Sequence, residues 1–431
     1  MSFDPTVVVV GLGYIGLPTA AILASHRVRV IGVDVNPRHV AAVSRGEVPF
    51  VEPDLADHVA RAVSDGMLTA QATMPAGDIF IVAVPTPFAE DHAADLSYID
   101  AAMAAIAPVL RGGELVILES TSPPGATERM QVQLAQLRPD LAAAGQVDFA
   151  HCPERVLPGR VMTELVTNDR IIGGLTPRAA DRASAVYAVF CRGDLHRTDA
   201  RTAELAKLVE NSFRDVNIAF ANELSLICDR LGIDVWELIE LTNKHPRVNV
   251  LQPGPGVGGH CIAVDPWFIV SAAPEESRLI RTAREVNDRK PGYVVERIAT
   301  LADRFRAPVI GLLGLSFKAD IDDLRESPAL QIAAEVARTL PHARLLAVEP
   351  HIDELPPALA AFPHVEFSEA TAAVAGADIV VLLVDHRDFQ ALDPATLAEK
   401  VVVDTRGMWA RNKATVAATG AADSRHLVVV S

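Results

Sequence analysis

The chain has 431 residues, half of them hydrophobic, and a formal net charge of -16 at pH 7. That composition can bury full cores and excludes a disordered or fibrous protein. The acidic balance, with no dense Lys/Arg block, argues against a nucleic-acid or membrane surface as the main partner.

In chain order, the first apolar run, residues 7–10, is too short for the core of a signal peptide, and no stretch reaches the roughly 20 apolar residues of a membrane span. Neither export nor insertion is expected. Valine-rich runs at 7–10, 28–33, 79–84 and 115–118 alternate with Ala-rich stretches of helical spacing, the pattern of a parallel sheet wound with helices. Residues 1–197 are expected to form one α/β domain. From Thr198 to about Leu231 no Pro or Gly intervenes, and Leu205, Leu208, Val209, Val216, Phe220, Leu224 and Ile227 suit one long amphipathic helix. It opens a central segment, 198–300. Runs at 309–313, 345–348, 379–384 and 401–403 repeat the strand-helix alternation and predict a second, smaller α/β domain, 301–431. The fold class expected is therefore α/β, with two Rossmann-like doubly wound domains joined by a long central helix.

Gly11-Leu12-Gly13-Tyr14-Ile15-Gly16 follows the first strand and opens a helix. Its glycines suit a tight turn, close approach of a pyrophosphate to the backbone, and packing of helix on strand. Asp34 follows the next strand, where a carboxylate accepts from the adenosine ribose hydroxyls and repels a 2′-phosphate, so NAD is favoured over NADP. Arg38 nearby keeps the phosphate form open. Later strand ends, at Pro85-Thr86-Pro87 and Glu119-Ser120-Thr121, are places where ligand contacts gather in an open parallel sheet, or ordinary turns.

Cys152, Cys191, Cys228 and Cys261 are widely spaced, without a C-x-x-C pair or zinc-type spacing, which reads as reduced thiols in a cytoplasmic protein without a metal site. Lys207, Asn211 and Arg214 share one face of the long helix by their i, i+4, i+7 spacing. Such a face is either a solvated stripe or part of a site. The glycine-rich run 252–259 leads through His260 into Cys261, with Asp265 just after. Cys261 is either a small core residue or a nucleophile. Oxidising an alcohol to an acid needs a second hydride to leave a tetrahedral carbon, and a thiolate supplies that carbon by adding to the intermediate aldehyde. Lys207 and Asn211 suit oxyanion stabilisation or proton movement, and Asp265 could position water or take the thiol proton. Glu154, in His151-Cys152-Pro153-Glu154-Arg155, is a second candidate base or a helix-start residue. Arg247, Lys318, Arg325 and Arg406 stand at loop or strand ends and could hold a diphosphate.

With these residues together, the sequence resembles the UDP-glucose/GDP-mannose dehydrogenase family over essentially its whole length, and within it the bacterial branch that acts on UDP-N-acetyl-D-mannosamine. The most specific stretches are 10–18, 152–159, 204–226, 245–270 and 317–328. The resemblance implies an N-terminal NAD domain, a central helix that builds a homodimer, a C-terminal domain holding the nucleotide of a UDP-sugar, and oxidation by two NAD through a Cys261 thioester. It implies a role in surface-polysaccharide synthesis. By the same resemblance Cys261 is the nucleophile and Lys207 the catalytic lysine, with Asn211, Asp265, Glu154 and Thr121 beside them. Arg155, Val156, Lys207, Asn211, Arg214, His245, Arg247, Gly258, Phe317, Lys318, Arg325 and Arg406 fall on substrate positions, Arg247 reaching the partner's site. Gly11, Gly13, Tyr14, Ile15, Gly16, Asp34, Arg38, Pro85, Thr86, Thr121 and Thr127 fall on cofactor positions. Pro124 and Ala126 depart from the small aliphatic residue and hydroxyl expected before Thr127, and Arg406 replaces a frequent Lys. Oxidation of UDP-N-acetylglucosamine or UDP-glucose remains open on sequence. So do a two-domain hydroxyacid dehydrogenase, which would need neither Cys261 nor the second α/β domain, and a non-catalytic nucleotide-sugar or NAD-binding regulator.

Overall fold

The computed structural model describes residues 5–50, 52–88, 92–157, 159–259 and 261–409, and the backbone of 427–428. His260 therefore lies outside the described residues. The chain divides into two compact units, residues 1–210 with 271–273, and 211–270 with 274–431.

In the first unit, β1 (Thr6–Val10), β2 (Arg29–Val33), β3 (Leu68–Gln71), β4 (Ile79–Val82), β5 (Leu115–Leu118), β6 (Asp148–His151), β7 (Arg170–Gly174) and β8 (Leu195–Asp199) form one sheet, ordered β3-β2-β1-β4-β5-β6-β7-β8. Val7 and Val9 of β1 enter one hydrophobic cluster with Ile79, Ile81, Leu115 and Ile117. Val8 and Val10 enter another with Phe80, Val82, Val116 and Leu118. Burial of both faces is why these strands read as unbroken apolar runs. The order reverses between β1 and β4, which makes the carboxyl ends of those strands the place for a ligand.

The sheet is not parallel throughout, as the alternation had suggested: β6 and β7 pair antiparallel. An antiparallel neighbour needs no crossover, so the connection between β6 and β7 begins and ends at the carboxyl edge of β6. That connection carries Glu154 and Arg155.

The helix Ala200–Leu231 is continuous, and Gly232, at φ +68°, ends it in a left-handed conformation. In the second unit, helices Val235–Thr242, Asp265–Ala272 and Arg278–Ala302 precede β9 (Val309–Leu313), β10 (Arg344–Val348), β11 (Val365–Phe367), β12 (Ile379–Leu382), β13 (Val401–Asp404) and β14 (Leu427–Val428). These strands are parallel, ordered β11-β10-β9-β12-β13-β14. The second sheet thus has its own reversal, between β9 and β12. Two doubly wound α/β sheets and a long helix are the architecture expected.

Candidate active site

The turn after β1 is built around its glycines. Gly11 has φ +97°, and a Cβ there would strike the Ala83 carbonyl, while one on Gly16 would strike the Gly11 carbonyl. A Cβ on Gly13 would meet nothing within 4 Å, so the backbone is open to a ligand on that side. No side chain caps the helix Gly16–Ser25, but its Leu17 and Thr19 N–H groups already donate to the Gly13 and Ile15 carbonyls and Pro18 has no N–H, so it is the backbone of the turn before the helix that suits a pyrophosphate. Tyr14 stacks on Phe50 at 4.3 Å between centroids. Ile15 is the N-cap residue and lends only its carbonyl to the helix.

Asp34 does more than face a ribose. Its Oδ2 accepts the Leu12 N–H at 2.8 Å and its Oδ1 the Asn36 N–H at 2.8 Å, with His39 Nδ1 at 3.3 Å. The carboxylate that would read the ribose also fastens the glycine turn. Arg38 is exposed. At the ends of β4 and β5, the Thr86 hydroxyl donates to the Thr121 carbonyl at 2.7 Å, next to exposed Pro85. Thr127 is 1% exposed. Its N–H and hydroxyl both donate to Glu204 Oε1, at 2.8 and 2.6 Å, while the Gly125 N–H donates to Glu204 Oε2. That leaves the Thr127 hydroxyl only acceptor capacity for another partner.

Glu154 starts no helix, since the next one is Val161–Thr167. It is a buried carboxylate that accepts from Arg170 Nη2 at 3.1 Å and from the Arg155 N–H at 2.6 Å. Arg155 pairs with Glu210 at 2.7 Å, and Val156 packs on the first core. Behind Glu154 lies Glu119, fully buried, accepting from Thr19 at 3.1 Å and Tyr187 at 3.2 Å. Burial, and then the Glu154 charge, push the Glu119 carboxyl up to about 8. Burial likewise pushes the Cys152 thiol up to about 12 and His151 down to about 3, so Cys152 is an inert thiol and His151 a neutral ring.

Lys207 is half-buried on the long helix and makes no ion pair among the described residues. In the second unit, Asn211 Nδ2 donates to Asp265 Oδ2 at 2.5 Å. The Asp265 N–H donates to the Cys261 carbonyl at 2.8 Å, so a single turn links the exposed Cys261 to buried Asp265. The loop before it threads between other parts of the same unit. A Cβ on Gly258 would strike the Glu326 carbonyl, and one on Gly259 would lie 3.1 Å from the Phe317 ring. A Cβ on Gly254 would lie 2.6 Å from Arg406 Nη1. Phe317, the 325–326 segment and Arg406, far apart in sequence, are thus brought to the glycine loop. Arg325 pairs with Asp323 at 2.7 Å and Arg406 with Asp385 at 2.9 Å. Lys318, Arg214, His245 and Arg247 are exposed, and the His245 ring accepts the Arg247 N–H at 3.3 Å.

The turn after β9 repeats the logic of the first. Gly314 sits at φ +89°, and Glu349 at the end of β10 accepts the N–H groups of Leu315 and Ser316 at 2.7 and 3.0 Å. Burial pushes Glu349 up, but the hydrogen bond from His386 and these two N–H groups outweigh it and hold the carboxyl below its ordinary value.

Sequence reasoning missed a buried polar network inside the second unit. Arg284 Nη1 donates to Asp215 Oδ1 at 2.7 Å, and Asn287 Nδ2 to the same oxygen at 2.8 Å. Asn222 Nδ2 donates to Asn287 Oδ1 at 2.8 Å, and Asn222 Oδ1 accepts the Gly254 N–H at 2.9 Å. Lys290 Nζ donates to Ser225 Oγ at 2.6 Å. The one sequence signal was polar residues, Asp215, Asn222 and Ser225, interrupting the apolar pattern of the long helix.

An open glycine turn at a switch point, pinned by a strand-end carboxylate, defines a dinucleotide-dependent oxidoreductase of the doubly wound class. Models of the UDP-glucose/GDP-mannose dehydrogenase family match the chain in three consecutive parts: the NAD binding domain over residues 5–191, the central domain over 201–289 and the UDP binding domain over 311–411. The chain is 58% identical over 417 residues to the NDP-N-acetyl-D-galactosaminuronic acid dehydrogenase of Ralstonia nicotianae, covering 95% of this chain and 97% of that one. It is 54% identical over 424 residues to the UDP-N-acetyl-D-mannosamine dehydrogenase of Escherichia coli, covering 95% and 100%. The solved UDP-N-acetyl-mannosamine dehydrogenase of Staphylococcus aureus superimposes with a TM-score of 0.79 at 41% identity, over 94% of this chain and 95% of that one. The chain therefore belongs to the UDP-glucose/GDP-mannose dehydrogenase family, and it is an NAD-dependent nucleotide-sugar dehydrogenase.

Proposed function

We propose that the protein oxidises the C6 alcohol of UDP-N-acetyl-D-mannosamine to the carboxylate, in two steps, with Cys261 as nucleophile. The observation that carries this reading is the Cys261 segment, in which an exposed thiol is coupled by one turn to a buried carboxylate, Asp265, that Asn211 of the long helix holds at 2.5 Å. NAD, for which the open turn at Gly13 and the Asp34 carboxylate are suited, supplies the hydride acceptor for both oxidations. Lys207 stabilises the alkoxide of the first. Cys261 Sγ then adds to the aldehyde, its proton passing to Asp265 or to solvent, and the tetrahedral carbon loses hydride to leave a thioester. Water attacks the thioester carbonyl, the C–S bond breaks, and the thiol is restored as the carboxylate forms. Glu154, ion-paired to Arg170, and Thr121 at the adjoining strand end are assigned to this hydrolysis by the family resemblance. Arg325 and Arg406 exchange their carboxylate partners for the diphosphate, a swap that the planar guanidinium fork favours. Arg155, Arg214, His245, Arg247, Phe317 and Lys318 complete the substrate contacts.

UDP-N-acetylgalactosamine is the second reading, favoured by the 58% identity to a relative named for the galactosaminuronic acid. Both substrates share a 2-acetamido group, and the product in either case suits polysaccharide assembly. We assign a homodimer built on the long helix, because Leu205, Val209, Phe213, Phe220, Ile227 and Leu231 leave 39–70% of their surfaces exposed along it, a stripe that a second copy would cover. Among the described residues no helix is long and apolar enough to cross a membrane, which fits action on a cytoplasmic sugar nucleotide.

The test is NADH formed per sugar nucleotide consumed, for wild type and Cys261→Ser, with UDP-N-acetylmannosamine, UDP-N-acetylgalactosamine, UDP-N-acetylglucosamine and UDP-glucose side by side. Two NADH per UDP-N-acetylmannosamine and loss of acid formation in the variant are expected. One NADH per sugar, or an unimpaired variant, would return Cys261 to a structural role, and a preference for the galacto sugar would select the second reading.

A further inference from the structure

The Cys261 segment is held on both flanks by one face of the long helix. Asn211, Asp215 and Asn222 are spaced i, i+4 and i+11, about three helical turns in all. Asn211 binds Asp265 shortly after Cys261, while Asn222 binds the backbone of Gly254 near the start of the glycine loop that leads into it. Asn222, Asp215 and Asn287 are at most 1% exposed, and their network has only one consistent polarity. Asp215, paired with Arg284, can only accept. Asn287 must therefore turn its Nδ2 to Asp215 and its Oδ1 to Asn222. Asn222 must in turn donate with Nδ2, which leaves its Oδ1 for the Gly254 N–H. A fixed charge two residues away thus dictates which end of the Asn222 amide meets the loop.

The loop needs such a hold. Gly256 at φ +153° and Gly259 at φ +84° have no side chain to lock them, and a further backbone tie among the described residues, from the Gly259 N–H to the Glu326 carbonyl, is long at 3.4 Å. Glycine-rich backbone has more conformational freedom to lose than any other. We propose that Asn222 is a positioning residue for the reaction: oriented by Asp215 through Asn287, it anchors Gly254 so that the loop presents Cys261 to the sugar. This inference rests on the reading of Cys261 as the nucleophile.

Asn222→Leu removes the acceptor at similar volume. The expected result is a kcat lower by about tenfold to a hundredfold, the scale of a small misplacement of a reacting group. KM for NAD should stay within about twofold, because the cofactor turn lies elsewhere in the chain. Deuterium uptake at residues 252–259 should rise while uptake across the rest of the long helix does not. Asn222→Gln keeps both the acceptor for the Gly254 N–H and the donor to Asn287 and should recover part of the lost kcat, whereas a general packing role would predict no such rescue from a longer side chain. If Asn222→Leu does not fold, Asn287→Leu decides instead, because it frees the Asn222 amide to turn and should raise uptake at 252–259 with a loss of kcat. Unchanged kcat and loop exchange in the folded Asn222→Leu variant overturns the proposal. Full two-NADH turnover by Cys261→Ser overturns the nucleophile reading and the catalytic meaning of the anchor with it. That failure is distinct from an inactive Cys261→Ser beside an unimpaired Asn222→Leu, which sinks the anchor alone.

Discussion

Lys290 lies inside the second unit on the helix Arg278–Ala302, 1% exposed, with Ser225 Oγ at 2.6 Å and the Tyr293 ring centroid at 5.3 Å. Burial lowers its pKa from 10.5 to about 7, against an opposing pull from the Asp229 carboxylate. A depressed folded pKa means that the unfolded chain binds more protons between the two values. The stability linked to this group is therefore complete above the unfolded pKa and is lost as pH falls through about 7. Integrating the linkage with 1.36 kcal/mol per unit, wild type should gain about 2 kcal/mol from this group between pH 7 and pH 9. Lys290→Met keeps the volume and cannot titrate. It should be at least as stable as wild type at pH 7, since replacing a buried ionisable group by an apolar one of similar size is often neutral or stabilising. The advantage should shrink by about 2 kcal/mol at pH 9. Denaturant unfolding at pH 7, 8 and 9, followed by tryptophan fluorescence, reads this unit alone, because Trp236, Trp267 and Trp409 all belong to it. A difference between the two proteins that does not change with pH would refute the buried, titrating Lys290.

The Glu119 carboxyl, raised to about 8, has the opposite slope: its stability is complete below about 4.5 and is lost as pH rises through 8. Glu119→Gln should therefore gain a few kcal/mol on wild type between pH 5 and pH 9, on the order of 1.4 per pKa unit, and parallel melting curves across that range would contradict the assignment. Asp34→Ala removes both the ribose acceptor and the tie to the Leu12 N–H. KM for NAD should rise at least about tenfold, the scale of 1–3 kcal/mol for an unmet buried donor, with KM for the UDP-sugar little changed; equal rises in both would mean that the turn serves something other than the cofactor. Phe213→Asp places a charge on the most exposed apolar position of the long helix, 70% exposed. Sedimentation should show a monomer, and an unchanged assembly would move the interface elsewhere.

Much of the architecture was legible in local sequence. Strands buried on both faces announce themselves as apolar runs, as β1, β4, β5, β9, β12 and β13 do, and the long helix shows as an unbroken span closed by Gly232. The strands that went unread are β3, β6, β7, β8, β11 and β14. Several of them are short or lie toward sheet edges, where one side is wet and polar residues are tolerated: β8, LHRTD, has no fully buried position. The antiparallel turn of β7 depends on what β6 offers as a neighbour, which no local pattern encodes.

The sequence by itself determined the cofactor turn, because its chemistry is local. A turn that must reach φ +97° against the Ala83 carbonyl demands glycine, and the strand-end carboxylate follows at a spacing set by one βαβ unit. It also marked Cys261 and Asp265 as neighbours, since one turn joins them. Only the tertiary structure decided which partners the other groups take. Glu204 on Thr127, Arg170 on Glu154, Arg406 against Gly254 and Asn222 on the Gly254 N–H are contacts across long stretches of chain. They exist because buried polar groups must find partners wherever packing brings them, and packing is a property of the whole fold.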